Sequence, residues 1–284
     1  MWTDLNRPPL DQASLRRALV RSDGGSDARA FWNRLDVVES TGSTNADLLA
    51  RASDPGADRH VLIAEHQESA RGRHARTWVS PAQAQISMSV LLGMPGLNLA
   101  DMGWLPLLTG IAVVDALRTV AEVPAELKWP NDVLIGDKKV AGILAEVART
   151  TPEPAVVVGI GLNVSLGAEE LPVPTATSLL LENAETVDRD TLVRALAREL
   201  ARQFRGWENS GWDTGALAAE YRERCGTLGK RVRAVLPGDK EVFGTARDID
   251  TSGRVVIEIE GSGGETFAVA AGDITHLRAA PITD

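Results

Sequence analysis

Apolar residues run unbroken through Val61-Leu62-Ile63-Ala64, and Ala155 to Ile160 carries no polar side chain. Runs of this kind predict strands covered on both faces. Ile86-Ser87-Met88-Ser89-Val90 alternates with period two instead, which predicts a half-buried strand. A further strand is expected at Leu35-Asp36-Val37-Val38. Val133-Leu134-Ile135 and Val140 to Leu144, joined through Gly136-Asp137-Lys138-Lys139, make a hairpin pattern. Leu107, Ile111, Val114 and Leu117 recur at helical spacing, as do Val193, Leu196, Leu200 and Phe204 behind Asp190, the expected N-cap. Leu10, Leu15 and Leu19 predict one short helix. Ser43 or Thr44 is placed to cap another over 46–52. After Cys225-Gly226 the texture changes. Short alternating runs at 231–236 and 254–259 lie between glycine-bearing turns and predict a small β-barrel. The expected division is an N-terminal segment 1–30, a catalytic domain 31–225 and a β domain 226–284.

Composition narrows the class. The 284 residues suit two unequal domains, and 44% apolar with 24% charged residues excludes a disordered or collagen-like chain. One cysteine, Cys225, excludes an internal disulfide and a cysteine-based zinc site. A net charge of −9 argues against a whole-chain nucleic-acid binder, and the single helix expected before Phe31 is too little for a winged-helix domain. The N-terminus lacks the basic-then-apolar pattern of a secretory signal. The apolar stretch Leu91 to Leu117 holds Pro95, Asp101, Pro106 and Asp115, which are expected to keep it from spanning a bilayer as one helix. A cytoplasmic protein without membrane contact is therefore expected.

The cations are unevenly used. There are five lysines among 30 basic residues, and Lys128, Lys138 and Lys139 fall within twelve positions. The segment Gln67 to Trp78 concentrates Arg71, Arg73 and Arg76 around Gly72. Such a loop reads either as a closure over a polyphosphate, which arginine grips in bidentate fashion, or as a solvated basic turn. Trp78 beside it reads as a core residue or as a ligand platform. In Lys128-Trp129-Pro130-Asn131-Asp132 the proline holds Trp129 extended, and Asn131 with Asp132 suits a turn. Of the adjacent pair Lys138 and Lys139, only one can face a given side of a strand. Gly159-Ile160-Gly161-Leu162-Asn163 lacks the third glycine and the following helix of a dinucleotide fingerprint. Its small residues leave room for a flat ligand against a sheet, or for close strand packing. The four histidines show no metal-ligand spacing, and no Walker loop or nucleophile elbow is present.

Taken in order, Ser40 to Asn45, Gln67 to Trp78, Lys128 to Asp132, Lys139 to Glu146 and Gly159 to Asn163 resemble the biotin protein ligase family. The resemblance spans about 35–225, and the C-terminal β segment fits that family's SH3-like domain. It implies an α+β fold: a mixed β-sheet flanked by helices, of the class II synthetase and biotin–lipoate ligase type, with a small C-terminal SH3-like β-barrel. It also implies two steps. Biotin and MgATP give biotinyl-5′-AMP and pyrophosphate, and a lysine of a biotin carboxyl carrier domain of acetyl- or acyl-CoA carboxylase then takes the biotin.

Carried over by residue, the resemblance implies that Ser43, Thr44, Asn45 and Gln67 hold the ring end of biotin. Arg71, Gly72 and Arg73 close over the carboxylate and phosphates, and Lys139 touches the carboxylate and the adenylate linkage. Gly142, Gly159 and Gly161 form the slot. Arg73, Arg76, Trp78, Lys128, Asn131 and Asn163 serve ATP, and Asp132 orients or deprotonates the acceptor lysine. Lys139, Asp132, Arg71 and Arg73 are thus the expected catalytic set, with ATP, Mg²⁺ and biotin as substrates and no metal ligand assigned. Ala70 and Ala75 stand where the family commonly has loop glycines; a positive φ at either would strain alanine. The bifunctional members' winged helix is not expected, so no DNA partner is expected, and the protein should be a monomer or weak homodimer. The rival readings are a lipoate or octanoate ligase or transferase of the same fold, and a non-catalytic biotin-binding regulator.

Overall fold

In the computed structural model, which describes residues 7–20, 31–73, 78–236 and 240–270 and the backbone of 273–276, seven strands build the larger of two sheets. They are β1 (Arg34–Thr41), β2 (His60–Gln67), β3 (Gln85–Gly93), β4 (Ala125–Lys128), β5 (Asp132–Ile135), β6 (Lys138–Arg149) and β7 (Ala155–Asn163), in the order β1-β2-β3-β7-β6-β5-β4. β1 and β2 run parallel and every other pair is antiparallel, so the sheet is mixed as expected.

The two faces of the sheet do different things. Val61, Ile63, Ile86, Val90, Val158 and Ile160 join the main core with α3 (Trp104–Ala116) and α4 (Arg189–Asn209). On the other face, Leu62, Leu91, Ala155 and Val157 are covered by Leu48 and Ala52, from and just beyond α2 (Thr44–Ala50). The rest of that face carries the site. β3 is therefore buried along its whole length rather than on one side, because Ser87 and Ser89, the polar half of its alternation, lie under the ligand-facing elements at 1% exposure.

Helix α1 (Gln12–Leu19) is capped by Asp11, and the chain before it is fastened at Glu65 and Arg189. This ion pair, 2.5 Å long and at most 8% exposed, accepts the Leu10 amide on Glu65 and gives Arg189 Nη2 to the Pro8 carbonyl. The cap of α4 is Asp188, whose carboxylate takes the Thr191 amide, and not Asp190, which lies inside the first turn. The helix expected from Leu107, Ile111, Val114 and Leu117 is part of a longer continuous helical run, Leu99–Ala121, that Asp101, Pro106 and Asp115 do not break. Pro106 sits in the first turn of α3, where its missing N–H is not needed, and Asp115 pairs with Arg224 at 2.6 Å. By length and composition this run is long and apolar enough to cross a membrane, but most of it is buried as the central core helix.

The smaller sheet holds β8 (Arg231–Leu236), β9 (Lys240–Ile249), β10 (Val255–Ile259), β11 (Thr266–Val269) and β12 (Asp273–His276), all antiparallel in the order β11-β10-β9-β8-β12. Its β9–β10 turn accepts two indole N–H groups: Trp104 donates to the Thr251 carbonyl and Trp129 to that of Gly253. Trp129 belongs to the Lys128–Asp132 segment, so the small sheet grips the back of the site.

Candidate active site

Strand register builds the floor. Asp132, Gly142, Gly161 and Ser87 lie opposite one another across β5, β6, β7 and β3, and Leu144, Gly159 and Ser89 form the next row. Directly opposed residues project from the same face. The two rows thus place three glycines side by side and leave a shallow trough of bare backbone. The space above them is used. A methyl group at Gly159 would collide with Asn45 Oδ1, and one at Gly161 would stand 2.9 Å from Cε2 of Trp78. Alanine fits neither place without displacing a neighbour.

At one end of the trough, α2 begins. Ser43 caps it, taking the Ala46 amide on Oγ, which fixes the direction of Thr44 and Asn45. Thr44 donates its amide to Gln67 Oε1 at 2.9 Å, and the Thr44 and Ser89 hydroxyls stand 2.6 Å apart. Ser89 donates to Asn45 Oδ1, while Asn45 Nδ2 donates to the Leu144 carbonyl and to Glu146 Oε2. The side chains that this end presents to the cavity are neutral and hydrogen-bonding, and Ser43, Thr44, Asn45 and Ser89 are buried.

The other end is cationic. Lys139 Nζ meets Asp132 Oδ1 at 2.5 Å and lies 5.3 Å from the centre of the Trp78 ring. Lys139 faces this way because β6 carries a bulge. Leu134 opposes Lys139 and Val133 opposes Ala141, so Val140 is the extra residue. Without it, Lys139 and Gly142, three positions apart, would point to opposite faces; bulges re-aim side chains in this way. Lys138 precedes the bulge and is exposed. Arg73 Nη1 donates to Asn131 Oδ1 at 3.1 Å, and Asn131 Nδ2 in turn donates to the Ile143 carbonyl. Arg71 pairs with Glu146. Asp132 is the first residue of β5; the turn expected to include it is confined to 129–131.

These groups enclose one cavity of about 740 Å³, within the usual range for small-molecule sites. Every expected site residue that is described lines it: Ser43, Thr44, Asn45 and Gln67 at the neutral end, Arg71, Gly72, Arg73, Lys128, Asn131, Asp132 and Lys139 at the charged end, Gly142, Gly159 and Gly161 below, and Trp78 and Asn163 alongside. Arg76 and Ala75 lie outside the described residues. Trp78 is a half-buried cavity wall, not a core side chain, and its Nε1–H is held by Gln85 Oε1 at 2.5 Å. Ala70 is buried and is not among the non-glycine residues with positive φ, so alanine there carries no left-handed strain.

Sequence reasoning missed three contributors. Ser89 was legible as the polar beat of β3, but only the register puts it beside Asn45. Pro172, Val173, Thr175 and Ala176 form a wall, because the backbone of this segment pairs with that of Lys139 on both sides. Glu146 closes the motif that begins at Lys139, and nothing in the spacing announced its two partners. Among the described residues no three histidine, cysteine or acidic groups cluster as a metal site.

The comparisons with known proteins agree with this geometry. Residues 37–163 match the Biotin/lipoate A/B protein ligase family, and 227–277 match the Biotin protein ligase C terminal domain. The biotin–[acetyl-CoA-carboxylase] ligase of Mycobacterium tuberculosis is 48% identical over 97% of this chain and 98% of its own length. The bifunctional ligase/repressor BirA of Escherichia coli is 31% identical over 89% of this chain and 75% of its own length. Among solved structures, the biotin protein ligase from Aquifex aeolicus in complex with biotin and ATP shares the fold, with a TM-score of 0.71, 24% identity, and coverage of 87% of this chain and all of that one. A match that runs through both sheets, at 48% identity to a relative aligned almost end to end, leaves a single assignment: this chain belongs to the biotin protein ligase family.

Proposed function

We propose that the protein is an ATP-dependent biotin–[acetyl-CoA-carboxylase] ligase that works through biotinyl-5′-AMP. The observation that carries this reading is the polarity of the cavity. A neutral hydrogen-bonding end and a cationic end share one glycine floor, which suits a ligand with an uncharged ring system and a carboxylate at the far end of its chain.

In the first step a carboxylate oxygen of biotin attacks the α-phosphorus of ATP, and the bond to pyrophosphate breaks. Two anions must approach, so cations that are fixed beforehand stabilise the transition state most. Lys139, Arg71 and Arg73 are placed for this, with Lys128 nearby. Thr44, Asn45 and Gln67 orient the ring end, while Trp78 and Asn163 border the nucleotide. In the second step an acceptor lysine attacks the acyl carbon, loses a proton and expels AMP; Asp132, at the cavity, orients that amine. Mg²⁺ arrives with ATP as part of the substrate. Magnesium commonly keeps its waters and takes one or two carboxylates plus phosphate oxygens, so it needs no cluster of three acidic groups; Asp132 and Asp137 are the carboxylates that line the cavity. The acceptor is the biotin carboxyl carrier domain of an acyl-CoA carboxylase. The protein works in the cytoplasm, where ATP is available, without DNA, as a monomer or weak homodimer.

The test is transfer of labelled biotin from biotin and ATP to a carrier domain. Transfer with pyrophosphate release is expected. A folded, biotin-binding protein that transfers nothing overturns the ligase reading, and pyrophosphate release driven by lipoate or octanoate in place of biotin overturns the substrate.

A further inference from the structure

Glu146 lies just outside the cavity and touches two residues that line it. Its Oε2 accepts from Asn45 Nδ2 at 2.8 Å, and its Oε1 stands 3.3 Å from Arg71 Nη2. Asn45 comes from the first turn of α2 and Arg71 from the loop after β2, so one carboxylate joins two elements that share no strand ladder with β6. The Asn45 amide is held at both atoms: Oδ1 accepts from Ser89, and Nδ2 donates to the Leu144 carbonyl at 3.2 Å as well as to Glu146, the shorter of the two contacts. A side-chain amide with both ends engaged cannot flip, and its outward edge is fixed for a ligand.

We infer that Glu146 is a positioning residue with two separable duties: it sets the Asn45 amide for the ring end of biotin, and it tethers Arg71 at the cavity mouth, so that the adenylate is retained between the two steps. The inference rests on the proposed ligase reading and extends it to a residue that itself meets no ligand. The two contacts differ chemically. A glutamine can still accept from Asn45 but offers Arg71 no charge. An alanine loses both. Arg71 is half exposed, so its tether is an adjustable hold and not a fixed strut.

The experiment measures biotin binding by titration calorimetry, the release rate of preformed biotinyl-5′-AMP, and KM for ATP, in the full chain and in Glu146→Gln and Glu146→Ala. Glu146→Ala is expected to weaken biotin about tenfold, as loss of a hydrogen bond to a charged acceptor does. Glu146→Gln is expected to keep biotin affinity within about twofold while releasing adenylate several-fold faster, in line with the small worth of a part-exposed ion pair. KM for ATP, which Arg71 also serves, should rise no further than adenylate release does in either variant. Biotin affinity and adenylate release unchanged in both variants overturn the proposal. So does a KM for ATP that rises in step with the biotin defect, which is the mark of general loosening. Should the alanine variant not fold, the glutamine variant alone decides, since unchanged adenylate release there removes the tether. Wild-type protein that binds no biotin defeats the ligase reading and this inference together, whereas wild-type transfer with indifferent variants defeats this inference only.

Discussion

Lys139 Nζ and Asp132 Oδ1 stand 2.5 Å apart at the charged end of the cavity, each on a strand that the β6 bulge has brought into agreement. The pair gives Lys139 a fixed position before any ligand carboxylate arrives. It also keeps the Asp132 carboxylate at the cavity, available to the acceptor amine of the proposed second step.

Lys139 and Lys138 are neighbours with the same chemistry and opposite surroundings, which makes them a controlled comparison. Lys139→Ala is expected to lower adenylate formation by about a hundredfold or more, the scale of losing one preorganised donor at a transition state. Lys138→Ala, at an exposed position before the bulge, should change it less than about twofold. Pyrophosphate release in a single turnover measures both. Equal effects would show that the bulge does not select the catalytic lysine.

How much of this was readable beforehand depends on whether a feature is local. A cap at Ser43 or Thr44, a hairpin link beginning at Gly136-Asp137 and the helices α1 and α4 follow from residues within a few positions of one another, and the sequence pattern locates them to within a few residues: Lys138 and Lys139, expected in the link, belong to β6, and the α4 cap lies two residues before the one expected. The set of cavity residues was also legible, but through family resemblance, since no spacing rule brings residue 43 beside residue 159. Three things were not legible. The side of β6 that Lys139 faces depends on one unpaired residue, Val140. The wall at 172–176 depends on backbone pairing with Lys139. The Glu65–Arg189 ion pair joins positions far apart in the chain, and two charged residues give no sign in a sequence that they will be buried together.

The glycine floor predicts a split between the two substrates. A methyl at Gly159 meets the Asn45 amide, while one at Gly161 meets the Trp78 ring. Gly159→Ala should therefore raise KM for biotin about tenfold or more with little effect on ATP. Gly161→Ala should act chiefly on ATP through Trp78. Either variant is expected to cost about 1–3 kcal/mol of stability through overpacking. Steady-state kinetics with each substrate varied in turn decides it, and an identical pattern in both variants would rule the split out.

Acid should weaken the fold through a group remote from the cavity. His60 is buried with Nε2 2.9 Å from Asp36 Oδ2. Burial holds the imidazole below its ordinary value, against the pull of Asp36. Burial pushes the Asp36 carboxyl up, but Arg16, Arg34 and His60 together leave it below the usual range. Both groups thus bind protons more readily in the unfolded chain, so stability falls as pH falls. The His60 share is present above the unfolded value of about 6.5 and is lost as pH drops below it; the Asp36 share goes further down, below about 4. Denaturant midpoints from pH 8 to pH 4 measure this, and His60→Gln should flatten the upper part of the curve. A midpoint that does not move between pH 7 and pH 5 in the wild-type chain contradicts the assignment.

The small sheet should matter to ATP more than to biotin, because it holds the turn at 129–131 from behind. Thr227 is buried and its Oγ1 accepts the Trp129 amide at 3.1 Å, just before the smaller sheet begins. Thr227→Val keeps the shape and removes the acceptor. A buried backbone N–H left without a partner costs about 1–3 kcal/mol. The loss falls on the segment that presents Lys128 and Asn131 to the cavity, and Asn131 in turn positions Arg73. The variant should fold, show a denaturation midpoint shifted downward, and need several-fold more ATP for half-maximal pyrophosphate release. Biotin binding in the absence of ATP should match wild type, since Thr44 and Asn45 are held by Gln67, Ser89, Leu144 and Glu146 and not by that turn. If biotin affinity drops as far as ATP affinity does, the turn is not an independent unit and the small sheet supports the cavity as a whole.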